Sequence, residues 1–319
     1  MPLEPDREDS ALAEAPSIEA TLEACARGEP TGSEVLGLAD LTREDGRLLE
    51  ERWPTLSDAV RIAVTRLLLE LTEERVDLHF GRALRTMLTD ASPVVRQRAA
   101  AALWEDEGSD LPDILLRVIN EDPSQDVVAQ ALESLAASAE RAVSGELDEV
   151  TSERLRWELF RLADDSVLEP LVRRRALETA AVFADDPRVN QLIDTFFDGD
   201  EPGFQASALY AMGRTADPRW LPRVSAEFAN EDAELRFEAA RAAGDLGDID
   251  TIPTLIDLAQ DEDVEVRHAA IGAIGRIGGR EAARVLRRLA EDAPESDGDA
   301  IEDAIHEANT SLDPLVLDR

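Results

Sequence analysis

The sequence predicts an all-α protein, an α-solenoid of about eight helix pairs stacked into one right-handed superhelix. Three observations predict it. The stretch "LRFEAARAAGDLG" at 235–247 returns as "VRHAAIGAIGRIG" at 266–278, and self-similarity at a period of about 30–40 residues marks a helical array. Apolar residues fall three and four apart from residue 18 onward, with turn signals between the segments; that is helix periodicity. Aromatics make up only 4% of a chain that is 44% hydrophobic, and the dominance of Ala and Leu suits packed helices better than a β-sandwich.

Taken in order, residues 1–17 carry Pro, Asp and Glu without a period and are expected to form an acidic, flexible tail. Residues 18–312 are expected to be a single solenoid, and 313–319 a C-terminal tail. Each repeat is read as a helix hairpin whose second helix has a marker position, preceded by an apolar residue and followed three on by a small one. The markers are Arg61, Arg96, Val128, Arg173, Gln205, Arg236, Arg267 and Glu302, spaced 35, 32, 45, 32, 31, 31 and 35 apart. The long gap holds an insertion near 140–153. First helices are short and apolar, as in "DILLRVI", "RVNQLIDTFF" and "TIPTLIDLA". The Asp-rich turns "EDPSQD", "NEDAE" and "DEDVE" offer carboxylates to cap the next helix. Pro in "WLPRV" and "TIPTL" sits near a helix start, where its missing N–H costs least.

The unit D-x-x-V-R-x-x-A-x-x-A-L-G, seen in "DEDVEVRHAAIGAIGRIGG", resembles a HEAT repeat of the short bacterial type, which includes the phycobilisome-lyase-like repeats. The resemblance covers about residues 40–312. The stretches "ASALYAMGRTADPRWLPRV" and "WPTLSDAVRIAVTRLLLEL" also resemble uncharacterised bacterial HEAT-repeat proteins as a group. It implies second helices that line a concave surface, and it says little about activity. It also implies a role for the marker, because the corresponding Arg of HEAT repeats bridges to an Asp of an adjacent turn. On that resemblance Arg96, Arg173, Arg236 and Arg267 form a structural ladder with Asp90, Asp232, Asp261 and Asp263. The competing reading is an anion contact, but the Arg fork suits carboxylates.

The letters that vary between repeats point to function. At 100° per residue, offsets −1, +3, +6, +7 and +10 from the marker share one side and are nearly all small or apolar. Offsets +1, +5 and +8 fall opposite. They carry Trp104, Tyr210, Phe237, Arg241 and His268, with Arg214 and Arg276 one residue further on, and three glycines (Gly213, Gly244 and Gly275) expected to leave backbone room. Aromatics and Arg dominate binding hot spots. Trp104, Tyr210, Arg214, Phe237, Arg241, His268 and Arg276 are therefore the expected partner-binding residues, meeting an acidic or carboxylate-bearing segment in the C-terminal half. The alternative is that the aromatics wedge between repeats and the arginines pair with local carboxylates.

Composition narrows the function class. The net charge of −37 repels nucleic-acid phosphates and anionic lipid. It fits a basic partner, salt adaptation or simple genome composition. All 33 basic residues are Arg, which removes Schiff-base and phosphate-loop lysine chemistry. The single Cys25 has no partner for an internal disulfide. The N-terminus lacks a signal-peptide pattern, and no apolar run is long enough to span a bilayer. Only His79, His268 and His306 exist, with one His-Glu dipeptide, so the several His-Glu pairs of HEAT-fold deoxyhypusine hydroxylase are absent. The basic face that HEAT-like alkylpurine glycosylases use is lacking too. The expectation is a cytoplasmic, monomeric, non-catalytic protein-interaction scaffold with no cofactor, no metal and no catalytic residue. The alternatives are an accessory subunit, a phycobilin-lyase-like protein, or a purely structural array.

Overall fold

In a computed structural model, described over residues 15–28, 30–75, 77–104, 106–199 and 203–310, the chain is helical, with no strand among those residues. Apart from residues 15–17, the expected tails lie outside the described residues, as do residues 311 and 312 of the expected solenoid. The helices form two compact units, residues 1–134 and 135–319.

The first unit holds α1 (Ile18–Arg27), α2 (Gly32–Val35), α3 (Arg43–Arg52), α4 (Asp58–Glu74), α5 (Gly81–Met87), α6 (Pro93–Ala101), α7 (Leu111–Glu121) and α8 (Gln125–Ser134). Markers Arg61, Arg96 and Val128 ride on α4, α6 and α8, which pack side by side in chain order. Helix α5 pairs with α6, and α7 with α8. The starts are dictated locally: the Thr42 and Ser57 side chains accept N–H bonds at the heads of α3 and α4, and proline occupies the first turn of α6 and α7. Between the layers lie Val64, Leu68, Leu84, Met87, Val95, Leu115 and Leu132, all fully buried.

The second unit holds α9 (Ala136–Ser144), α10 (Glu149–Asp164), α11 (Pro170–Ala180), α12 (Pro187–Phe197), α13 (Phe204–Arg214), α14 (Leu221–Ala226), α15 (Ala233–Leu246), α16 (Ile252–Leu258), α17 (Val264–Ile277), α18 (Gly279–Asp292) and α19 (Gly298–Thr310). The insertion near 140–153 is helical, supplying most of α9 and the head of α10. The five marker helices α11, α13, α15, α17 and α19 again pack each on the next, and each is backed by the helix before it. Residues just before and three after the marker are buried on the first four of these: Val172 and Ala176, Phe204 and Ala208, Leu235 and Ala239, Val266 and Ala270. Asp232 and Asp263 cap α15 and α17, and Pro222 and Pro253 lie in the first turns of α14 and α16.

The three glycines correct the helical-wheel projection. Gly213, Gly244 and Gly275 are buried rather than open to a groove. A Cβ on each would lie 2.8, 2.7 and 2.9 Å from the Cα of Ala242, Ala273 and Ala304 on the next marker helix. A marker helix within the array is touched on three sides, by its own first helix and by the marker helices before and after it. Its buried arc is therefore wider than the one-sided stripe of a simple amphipathic helix. Small residues on the flank let neighbouring backbones approach.

Candidate functional site

The marker arginines tie consecutive turns together. Arg96 donates from Nε and Nη2 to Asp122 (2.6 and 2.8 Å), and from Nη1 to the carbonyls of Asp90 and Ala91 (2.8 and 3.2 Å). Arg236 repeats this with Asp261 (2.8 and 2.9 Å) and the carbonyls of Asn230 and Glu231. Arg267 does so with Asp297 (2.9 and 3.1 Å) and the carbonyls of Asp261 and Glu262. Each guanidinium thus binds the main chain of its own turn and the carboxylate of the next. These forks hold the carboxyls of Asp261 and Asp297 below the usual carboxylate range, Asp297 at about 2.

Several ladder assignments change. Asp232 and Asp263 accept the N–H groups of Glu234 and Glu265 as helix caps, and are not the carboxylates the forks reach. Asp90 takes the Trp53 indole N–H at 2.6 Å and lies 3.5 Å from Arg61; its contact with Arg96 runs through its carbonyl. Arg173 donates to the Ala163 carbonyl and lies over Phe196 and Phe204, whose rings stack 4.5 Å apart. Gly199 stands 26 residues after Arg173, the distance that separates Asp122 from Arg96, so this rung is aromatic.

Three adjacent helices, α13, α15 and α17, carry the expected partner-binding residues of the second unit, and α11 packs beside α13. Arg241 on α15 lies between Tyr210 of α13 and Phe237 of its own helix, 5.2 and 5.6 Å from the ring centroids. Its Nη1 donates to Glu238 at 3.3 and 3.4 Å. Arg276 on α17 meets Asp245 at 3.0 Å and donates to the Arg241 carbonyl at 3.3 Å. Arg214 meets Glu140 of α9 at 2.5 Å. Upstream, Arg174 donates to the Ser207 hydroxyl at 2.8 Å and to Glu234 at 3.4 Å, while Ser207 donates to Glu178 at 2.6 Å. Burial raises the Tyr210 phenol above its ordinary value. Burial also raises Glu238, helped by the charges of Glu178 and Glu234 and opposed by Arg241.

Two expected residues have other surroundings. His268 bonds Asp297 at 3.0 Å, so it belongs to the ladder. Trp104 is on the other unit, in the turn after α6 ends, with 45% of its surface exposed. Sequence reasoning missed Ser207, Glu234 and Glu238. A signal existed, since Glu234, Phe237, Glu238 and Arg241 share one helix face at three- and four-residue spacing.

The chemistry available here is recognition by rings, guanidinium groups and carboxylates. Among the described residues, no group of three or more His, Cys, Asp or Glu side chains is placed to hold a metal ion. No helix there is long and apolar enough to cross a membrane. Cys25 is buried, and burial pushes its thiol up to about 11.

Stacked helix pairs with an Arg–Asp ladder define an α-helical repeat protein. Residues 221–305 match the family model for HEAT repeats, so this stretch of the chain carries HEAT repeats. No curated protein matches it. Among solved structures, it is similar to Escherichia coli YibA, with 18% identity over 93% of this chain and 98% of that one and a TM-score of 0.44. Human deoxyhypusine hydroxylase shows 17% identity over 92% and 96%, with a TM-score of 0.36. The CpcE–CpcF complex of phycocyanin lyase from Nostoc shows 16% identity over 72% and 94%, with a TM-score of 0.49. Likeness at this level says nothing about activity.

Proposed function

We propose that the protein is a non-catalytic interaction scaffold, and that it holds a partner protein on the strip formed by α11, α13, α15 and α17. The observation that carries this reading is the Tyr210–Arg241–Phe237 stack, a half-buried cluster of the residue types that dominate interface hot spots. Rigid helices hold the three side chains in place, which reduces the ordering penalty of binding.

The test is affinity capture from lysate of the native host, with wild type beside a Tyr210→Ala, Phe237→Ala, Arg241→Glu variant of unchanged helicity. A protein retained by wild type and lost by the variant is the expected result. Identical retention by both would remove the strip from the interface.

A further inference from the structure

We infer that the strip receives arginine side chains of a basic partner segment. This rests on the strip being a recognition surface, and it replaces the carboxylate-bearing partner that its arginines suggest in the sequence. Those arginines are already engaged: Arg241 by two rings and Glu238, Arg276 by Asp245, Arg214 by Glu140. An incoming carboxylate would have to break these pairs while approaching Glu178, Glu234, Glu238 and Asp245.

Two carboxylates of the strip, Glu234 and Glu238, are held loosely by comparison, whereas Glu178 is closed to 2.6 Å by Ser207 and Arg175 and Asp245 to 3.0 Å by Arg276. Glu238 is reached by a single guanidinium nitrogen at 3.3–3.4 Å, and Glu234 by one at 3.4 Å, whereas the ladder pairs close to 2.6–2.9 Å. Glu234 remains 56% exposed at its side chain. Glu234 and Glu238 share a face of α15 with Phe237, so a planar cation laid against that ring shares that face with two carboxylates, the exposed Glu234 and the more buried Glu238. The strip displays the same chemistry with its own residues, since Arg241 is stacked on Tyr210 and Phe237, and Arg174 spans Ser207 and Glu234. Guanidinium suits such a site better than ammonium, because it stacks, forks and is more weakly hydrated. The charge of −37 steers a basic segment toward the protein.

The experiment titrates the full chain with three labelled peptides of equal length, alternating Gly with Arg, Lys or Glu. It compares wild type, Glu234→Gln/Glu238→Gln, Tyr210→Leu/Phe237→Leu, and Asp257→Asn/Glu291→Gln, which removes the same charge from α16 and α18. The Arg peptide should bind about tenfold tighter than the Lys peptide. Each strip variant should weaken it about tenfold, and the α16/α18 variant less than about twofold. Equal binding of Arg and Lys peptides, or equal losses in strip and control variants, would reduce the effect to diffuse charge and overturn the inference. Strip-dependent binding of the Glu peptide would overturn it while leaving the scaffold standing. Should no peptide depend on the strip, the inference fails, and lysate capture still judges the scaffold on its own.

Discussion

A single guanidinium in this protein closes two turns at once, and removing one should be felt well beyond its own repeat. Arg236 and Asp261 keep only 12% and 11% of their side-chain surfaces exposed. Arg236→Leu strands that carboxylate and two carbonyls, and should destabilise the fold by about 3 kcal/mol in urea unfolding. Arg66→Leu, which deletes an exposed pair with Glu70, should change it by less than about 0.5 kcal/mol. Acid adds a second test. The carboxyl of Asp297 titrates lower folded, at about 2, than the ordinary 3.8. Its stabilising contribution is therefore complete above about pH 4 and drains away as the pH falls toward about 2. Asp297→Asn should lower stability at neutral pH and flatten that acid limb in pH-dependent unfolding. The ladder was partly legible in the sequence. The tripeptides Asp90-Ala-Ser92, Asp122-Pro-Ser124 and Asp261-Glu-Asp263 precede marker helices, and the first letter takes the arginine. In the last of these the third letter, Asp263, caps the helix instead. Composition makes the two letters look alike; geometry separates them, because only the first has its carboxylate turned back toward the preceding repeat.

At the level of the helix, close approach between marker helices rests on glycine facing alanine. A Cβ at Gly244 would lie 2.7 Å from the Ala273 Cα, main chain that cannot step aside. Gly244→Ala should therefore cost about 2 kcal/mol despite alanine's better helix propensity. Gly272→Ala is the counterpart. Its Cβ would meet only the Arg276 guanidinium, at 3.5 Å, so the substitution should stabilise by about 0.5–1 kcal/mol. Thermal unfolding of the two variants checks the pair, and opposite signs are expected. Helix positions, caps and the buried residues beside each marker could be read from period and turn chemistry. The glycine flank could not, because a wheel drawn for one helix contains no neighbours.

Across the whole molecule, net charge acts over the longest distances. At −37 the folded chain repels itself, and that repulsion is screened within about 10 Å at 0.1 M salt and about 3 Å at 1 M. Raising KCl from about 0.05 to about 1 M should lift the unfolding midpoint by several degrees, read by circular dichroism at 222 nm (about the helical minimum). A midpoint independent of salt would show that the charges are spaced too widely to matter. The fold was legible at this scale because stacking forces every repeat to repeat its core. The site was legible in part: the outward offsets pick out Tyr210, Phe237 and Arg241, and the last two meet within α15, but the place of Tyr210 beside Arg241 depends on successive repeats standing side by side, which no local period encodes.

The most direct test of the recognition strip is the affinity of the captured partner for Phe237→Ala, measured beside Trp157→Ala. Trp157 is the more exposed aromatic, at 55%, and lies on α10 outside the strip. The strip predicts a loss of about tenfold or more for Phe237→Ala and little change for Trp157→Ala. An unchanged affinity for Phe237→Ala, or a loss confined to Trp157→Ala, would contradict it.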